Sequence, residues 1–159
     1  MENNSSVLDS DAVKVDKYEP HKIANGKNEV TFFVASDKVD LADLQRYRIQ
    51  AQTDYLIAIN GTNKDYDCLK LADNVISCSP DEVQLVMQAF QLLHSGSGII
   101  GMDWNEVKWA ISSGRNIEFL HGMASGENCV ALACEQFISK LQRLSSNYPI
   151  KKMILSQLL

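Results

Sequence analysis

The sequence predicts an α/β fold with a mostly parallel sheet and flanking helices. Two observations carry this. Short runs such as "EVTFFVAS", "DYLIAIN" and "NVISCS" are rich in β-branched, aromatic and other apolar residues, the pattern of buried strands of a parallel sheet. Between and after them stand segments with helical spacing and helix-capping residues, so strands and helices alternate.

Residues 1–28 are polar, with little apolar periodicity, and end in the turn-like "ANGKN"; they read as a mobile tail. The folded domain is expected over 29–159. Its first strand is "EVTFFVAS". A helix over "DLADLQRYRIQAQ" follows, with Asp40 as N-cap and Leu41, Leu44, Tyr47 and Arg48 at helical spacing. "DYLIAIN" closes at Asn60-Gly61, "TNKDYDCLKLAD" reads as loop or short helix, and "NVISCS" as a third strand. Ser79-Pro80-Asp81-Glu82 is a strong helix start: Ser caps, Pro takes the first position and Glu82 completes a capping box. The long helix behind it is apolar at Val83, Leu85, Val86, Met87, Phe90, Leu92 and Leu93, and is expected to be buried on several sides. "GSG" at 96–98 ends it. A strand over "NIEFLHGMA", a helix over "ENCVALACEQFISKLQRL" and a last strand over "IKKMILSQL" complete the expectation.

The chain has 159 residues, enough for one domain with a real core. A net charge of -5 argues against broad nucleic-acid or anionic-membrane binding. No acid follows Glu135, while Lys140, Arg143, Lys151 and Lys152 do, which reads as a solvated helix edge or a basic partner surface. The four cysteines form no C-x-x-C pair and no histidine cluster has metal spacing, so the thiols are expected to be reduced, in a cytoplasmic setting. No signal peptide and no membrane span are expected.

Two carboxylates in "GMDWNEVKWAISSGR" raise the question of chemistry. Asp103 and Glu106 stand one helical turn apart, a spacing that suits a capping box and equally a shared water or ion. Trp104 and Trp109 read either as helix-face residues or as contact anchors. His21, His94 and His121 have no nucleophile or carboxylate at recognisable spacing, and none is assigned to catalysis; His94 is placed as a C-terminal capping aid. Ser125-Gly126-Glu127-Asn128 reads as a helix start.

Taken in order, these segments resemble the bacterial tubulin homologue FtsZ over about residues 29–159, with 99–130 the specific part. The anchors are Asp103, Val107, Lys108, Ser125, Gly126, Glu127 and Asn128. The resemblance implies a partial FtsZ/tubulin-like fold around a long central helix, and a loop that reaches into the nucleotide pocket of the next subunit in a filament. It assigns Asp103 and Glu106 a catalytic role in trans, and Gly101, Met102, Asp103, Trp104 and Glu106 an interface with the partner. The chain departs from the family where nucleotide would be held. It has eight glycines, none adjacent, and Gly26 alone precedes Gly61, so no phosphate-cradling loop is present. No cofactor is expected on this chain alone; GTP and Mg²⁺ enter only if a partner supplies the pocket. Glu106 stands where the family has Asp and Gly101 where it has Asn, which favours docking over catalysis.

The resemblance therefore implies a chain that binds or caps FtsZ-type filaments and so modulates cell division. The alternatives are a diverged GTPase or half of a split one, and a small homo-oligomeric interaction module.

Overall fold

The computed structural model describes residues 13–95 and 104–146, without the side chains at 92–95, 104 and 106. Five parallel strands lie side by side in chain order: β1 (Val15–Lys17), β2 (Val30–Val34), β3 (Tyr55–Asn60), β4 (Asn74–Ser77) and β5 (Asn116–Glu118). Helix α1 (Leu41–Gln50) joins β2 to β3, and a 3-10 turn (Asp67–Leu71) joins β3 to β4. The connection from β4 to β5 carries a 3-10 turn (Pro80–Glu82), α2 (Val83–Ser95) and α3 (Trp104–Ile111); α4 (Cys129–Ser145) follows β5. The α/β class and the parallel sheet are as expected from the apolar runs.

The alternation of side chains along each strand divides the core into two layers. On one face Phe33, Leu56, Ala58 and Val75 pack against Leu44, Tyr47 and Ala51 of the α1 region and Cys68 and Leu69 of the 3-10 turn. On the other, Val30, Phe32, Ile57, Ile59 and Ile76 meet Val13 and the α2 residues Val86 and Phe90. The Phe32 and Phe90 rings stack with centroids 5.3 Å apart. The buried hydroxyls of Thr31 and Thr53 bond each other at 2.7 Å, which satisfies both.

Local chemistry sets the helix ends. Asp40 caps α1 by accepting from the backbone N–H groups of Ala42 and Asp43. Ser79 and Glu82 form the expected capping box, with Ser79 N–H donating to Glu82 Oε2 at 2.8 Å. Asn128, in the left-handed conformation, directly precedes α4, so the Gly-Glu-Asn segment does open a helix; no side chain caps it.

Three expectations meet a different outcome. Residues 13–28 are not a loose tail. They carry β1, paired with β2, and bury Val13 and Tyr18. Their apolar residues are too sparse to show a period, and what fixes them is polar and distant in sequence: Tyr18 bonds Asp43, and Tyr47 bonds Asp16. Second, α2 is not buried on several sides. Through residue 91 only Val86 and Phe90 are buried, while Gln84, Gln88 and Gln91 face solvent. Those glutamines give it a polar stripe, and it lies on one face of the sheet. Third, the strand at "NIEFLHGMA" is confined to Asn116–Glu118. Residues 1–12, the "GSG" stop at 96–98 and the expected last strand lie outside the described residues.

Candidate functional site

Helix α3 begins at Trp104, where the sequence places a helix start. Gly101, Met102 and Asp103 lie outside the described residues, as do the side chains of Trp104 and Glu106. The rest of α3 is well placed. Val107 and Ile111 are buried, and Trp109 is 60% exposed. Asn74, at the start of β4, donates its Nδ2 to Ile111 O at 2.8 Å and Gly114 O at 2.9 Å. One buried amide therefore satisfies two carbonyls at the end of α3 and ties the helix to the sheet.

In parallel α/β sheets, ligands bind outside the carboxyl ends of the strands, where consecutive connections leave to opposite faces. Here that place lies between β3, whose connection covers one layer, and β4, whose connection covers the other. It is filled by the chain itself. Asn60 bonds Lys64 O and accepts from Thr62, closing its own loop. Gly61 lies so close to the start of α2 that an added Cβ would fall 2.7 Å from Val83 Cγ2. Two cavities lie at the opposite edge: about 380 Å³ beside Arg48, Ile49 and Leu56, and about 350 Å³ beside Tyr55, Asn74 and Arg115. Asp73 accepts from Arg48 Nη2 on both carboxylate oxygens and from the N–H of Leu56, so its carboxylate is already engaged.

A charged cluster forms beyond the carboxyl ends of β4 and β5. Glu82 is mostly buried. Its Oε2 accepts from Ser79, and its Oε1 receives Lys140 Nζ of α4 at 3.3 Å. His121 Nδ1 stands 2.7 Å from the same Oε1, off the line of a hydrogen bond. Burial alone would raise the pKa of Glu82; the bonds from Ser79 and Lys140 outweigh it and hold the carboxylate below its ordinary value. Glu118 is exposed at the end of β5, and partial desolvation there pushes its carboxyl up. Burial raises the Cys78 thiol, helped by the neighbouring carboxylates Glu82, Glu118 and Asp81. A thiol raised in this way is not an activated nucleophile. The cluster is built to hold charge pairs. The sequence named Glu82 as a helix cap, but Lys140 lies 58 residues away, and no spacing rule could join them.

Helix α4 differs from the others in having no buried residue along its 17 positions. Phe137, Lys140, Leu141 and Leu144 are half-buried on one side. On the other sides Val130 is 66% exposed, Ile138 50% and Leu132 45%. All four cysteines are free, with Cys68 buried and Cys134 exposed. Among the described residues no group of three or more His, Cys, Asp or Glu side chains is arranged to hold a metal ion. Among them, too, no helix is long and apolar enough to cross a membrane. No family model matches the chain, and no curated protein or solved structure matches it either.

Proposed function

We propose that this chain works by binding another protein, and that an FtsZ-type filament subunit is the partner. The observation that carries the binding reading is α4: a helix of 17 residues with nothing fully buried and three large apolar side chains open to solvent. Exposed apolar area of this kind, with the exposed Trp109 on α3, suits a protein contact. The choice of partner rests on the sequence resemblance. The order α2, α3, β5, α4 is the order which that resemblance implies, with α3 starting beside Asp103. A subunit that offers the Gly101–Glu106 loop and holds no nucleotide itself would dock on a filament end and stop growth there. GTP and Mg²⁺ then belong to the partner's pocket, where Asp103 and Glu106 would make contact in trans.

Sedimentation of FtsZ with GTP, at substoichiometric amounts of this protein, tests the reading. Shorter polymer and a changed GTPase rate are expected, weakened by Asp103→Ala with Glu106→Ala. Unchanged polymer and rate would sink the choice of partner. The alternative, a homo-oligomeric module, is favoured by the same open face of α4. Light scattering of the purified chain separates the two: a dimer disrupted by Ile138→Asp supports self-association. Tight binding of labelled GTP to the chain alone would instead favour the GTPase reading.

A further inference from the structure

We propose that Glu82, His121 and Lys140 form a protonation-dependent latch that holds α4 against the sheet. The geometry centres on one oxygen. Lys140 Nζ of α4 and His121 Nδ1 of the segment after β5 approach Glu82 Oε1 at 3.3 and 2.7 Å. Glu82 itself is fixed at the start of α2 by its capping box. The segment that carries His121 then holds α4 twice more. Met123 N–H donates to Gln136 Oε1 at 3.1 Å, and Gly122 lies against the backbone of Ala133. With no residue of α4 fully buried, these few polar contacts set much of its docking.

The surrounding charge makes the latch sensitive to the imidazole. The Glu82 carboxylate stands against it from the start of α2, with Lys140 of α4 on the same oxygen, and the carboxylates of Glu82, Glu118 and Asp81 act together on the Cys78 thiol of the β4–α2 connection. Phe119 stacks on the His121 ring. With His121 neutral, the Lys140 ammonium is the charge partner of Glu82 Oε1. Protonation adds a second cation at ion-pair distance from Glu82 and pins the 119–123 segment to α2, and α4 with it. Imidazoles titrate between about pH 5 and pH 8. Docking of α4 is therefore tighter at the acid end of that range. It fails only further down, as pH falls through the lowered pKa of Glu82.

Two cysteines on α4 supply the readout. Cys129 is half-buried and Cys134 is exposed on the same helix, so their relative rate of alkylation by iodoacetamide reports undocking and cancels the common effect of pH. In the full chain, the Cys129-to-Cys134 rate ratio is expected to fall about threefold between pH 8 and pH 5.5, the scale of a half-exposed ion pair. His121→Gln should give a ratio that does not change with pH. His121→Lys, a permanent cation, should give a low ratio at both values. Lys140→Met should raise the ratio throughout. A flat wild-type ratio would overturn the latch, and so would a wild-type slope kept in either His121 variant.

Discussion

Tyr18 donates its hydroxyl to Asp43 Oδ2 at 2.7 Å and so ties the segment after β1 to the first turn of α1. The reverse tie runs alongside: Tyr47 of α1 donates to Asp16 of β1, which also binds Lys22. The two rings meet edge to face, with centroids 5.6 Å apart. An edge strand of three residues is too short to hold itself, and these crossed phenol–carboxylate pairs hold it. Replacing Tyr18 with Phe keeps the packing and removes the donor. Asp43 keeps the His21 N–H and Arg46, so the cost should be moderate, about 1–2 kcal/mol. Urea unfolding checks it; an unchanged midpoint would mean that the pair adds nothing to stability.

The same pairs set a pH dependence at both ends of the scale. The His21 N–H and the Tyr18 hydroxyl hold Asp43 below its ordinary pKa. In Asp16, burial opposes ionisation, but the bonds from Lys22 and Tyr47 outweigh it, and its pKa is lowered too. A lowered carboxylate pKa gives stability that is present above the unfolded value and lost as pH falls through the folded one. At the alkaline end, burial and the facing carboxylates raise both phenols. Their contribution is complete below the unfolded tyrosine value and is lost as pH rises toward the folded one. The chain has five tyrosines. In an alkaline titration of tyrosinate absorbance, two of them should ionise only as the protein unfolds. Five ordinary, reversible ionisations with the fold intact would count against the buried pairs.

Asn74 should matter more than its exposed surroundings suggest. Its side-chain amide serves the last carbonyl of α3 and that of Gly114 from a position 3% exposed. Asn74→Ala leaves both carbonyls without that donor and should cost about 1–3 kcal/mol. Both tryptophans of the chain, Trp104 and Trp109, sit on α3, so fluorescence reports this helix alone. The fluorescence midpoint should fall below that of far-ultraviolet circular dichroism in the variant. Coincident midpoints would show that α3 is held by Val107 and Ile111 and not by Asn74.

What could be read from the sequence was what is local. Asp40 and the Ser79–Glu82 box announced two helix starts, because caps act over three residues. The runs at 30–34, 55–60 and 74–77 announced strands, since burial on both faces makes most of their positions apolar. Contacts between polar residues far apart stayed hidden. Asp16, Tyr18 and Asp43 look like ordinary surface residues, and Tyr47 like one more residue of a helix face, until α1 brings the four together. The glutamines of α2 were legible as a polar stripe, but the count of apolar residues outweighed them. The proposed filament loop has its carboxylates at Asp103 and Glu106, where local sequence supports a cap and a contact equally.

Gly122 gives the sharpest test of how α4 is seated. An added Cβ there would fall 2.1 Å from Ala133 O and 2.9 Å from Ala133 C, both backbone atoms that cannot turn aside. Gly122→Ala must therefore push the segment after β5 away from α4. The expected penalty is about 1–3 kcal/mol. Amide exchange should rise across α4 and stay unchanged in β2 and β3. Because the Met123–Gln136 bond and the approach of His121 to Glu82 run through the same segment, the variant should also lose the pH dependence of Cys129 alkylation. Exchange rates in α4 equal to those of the wild type would show that the helix is seated by its half-buried side chains alone, with the loop following it.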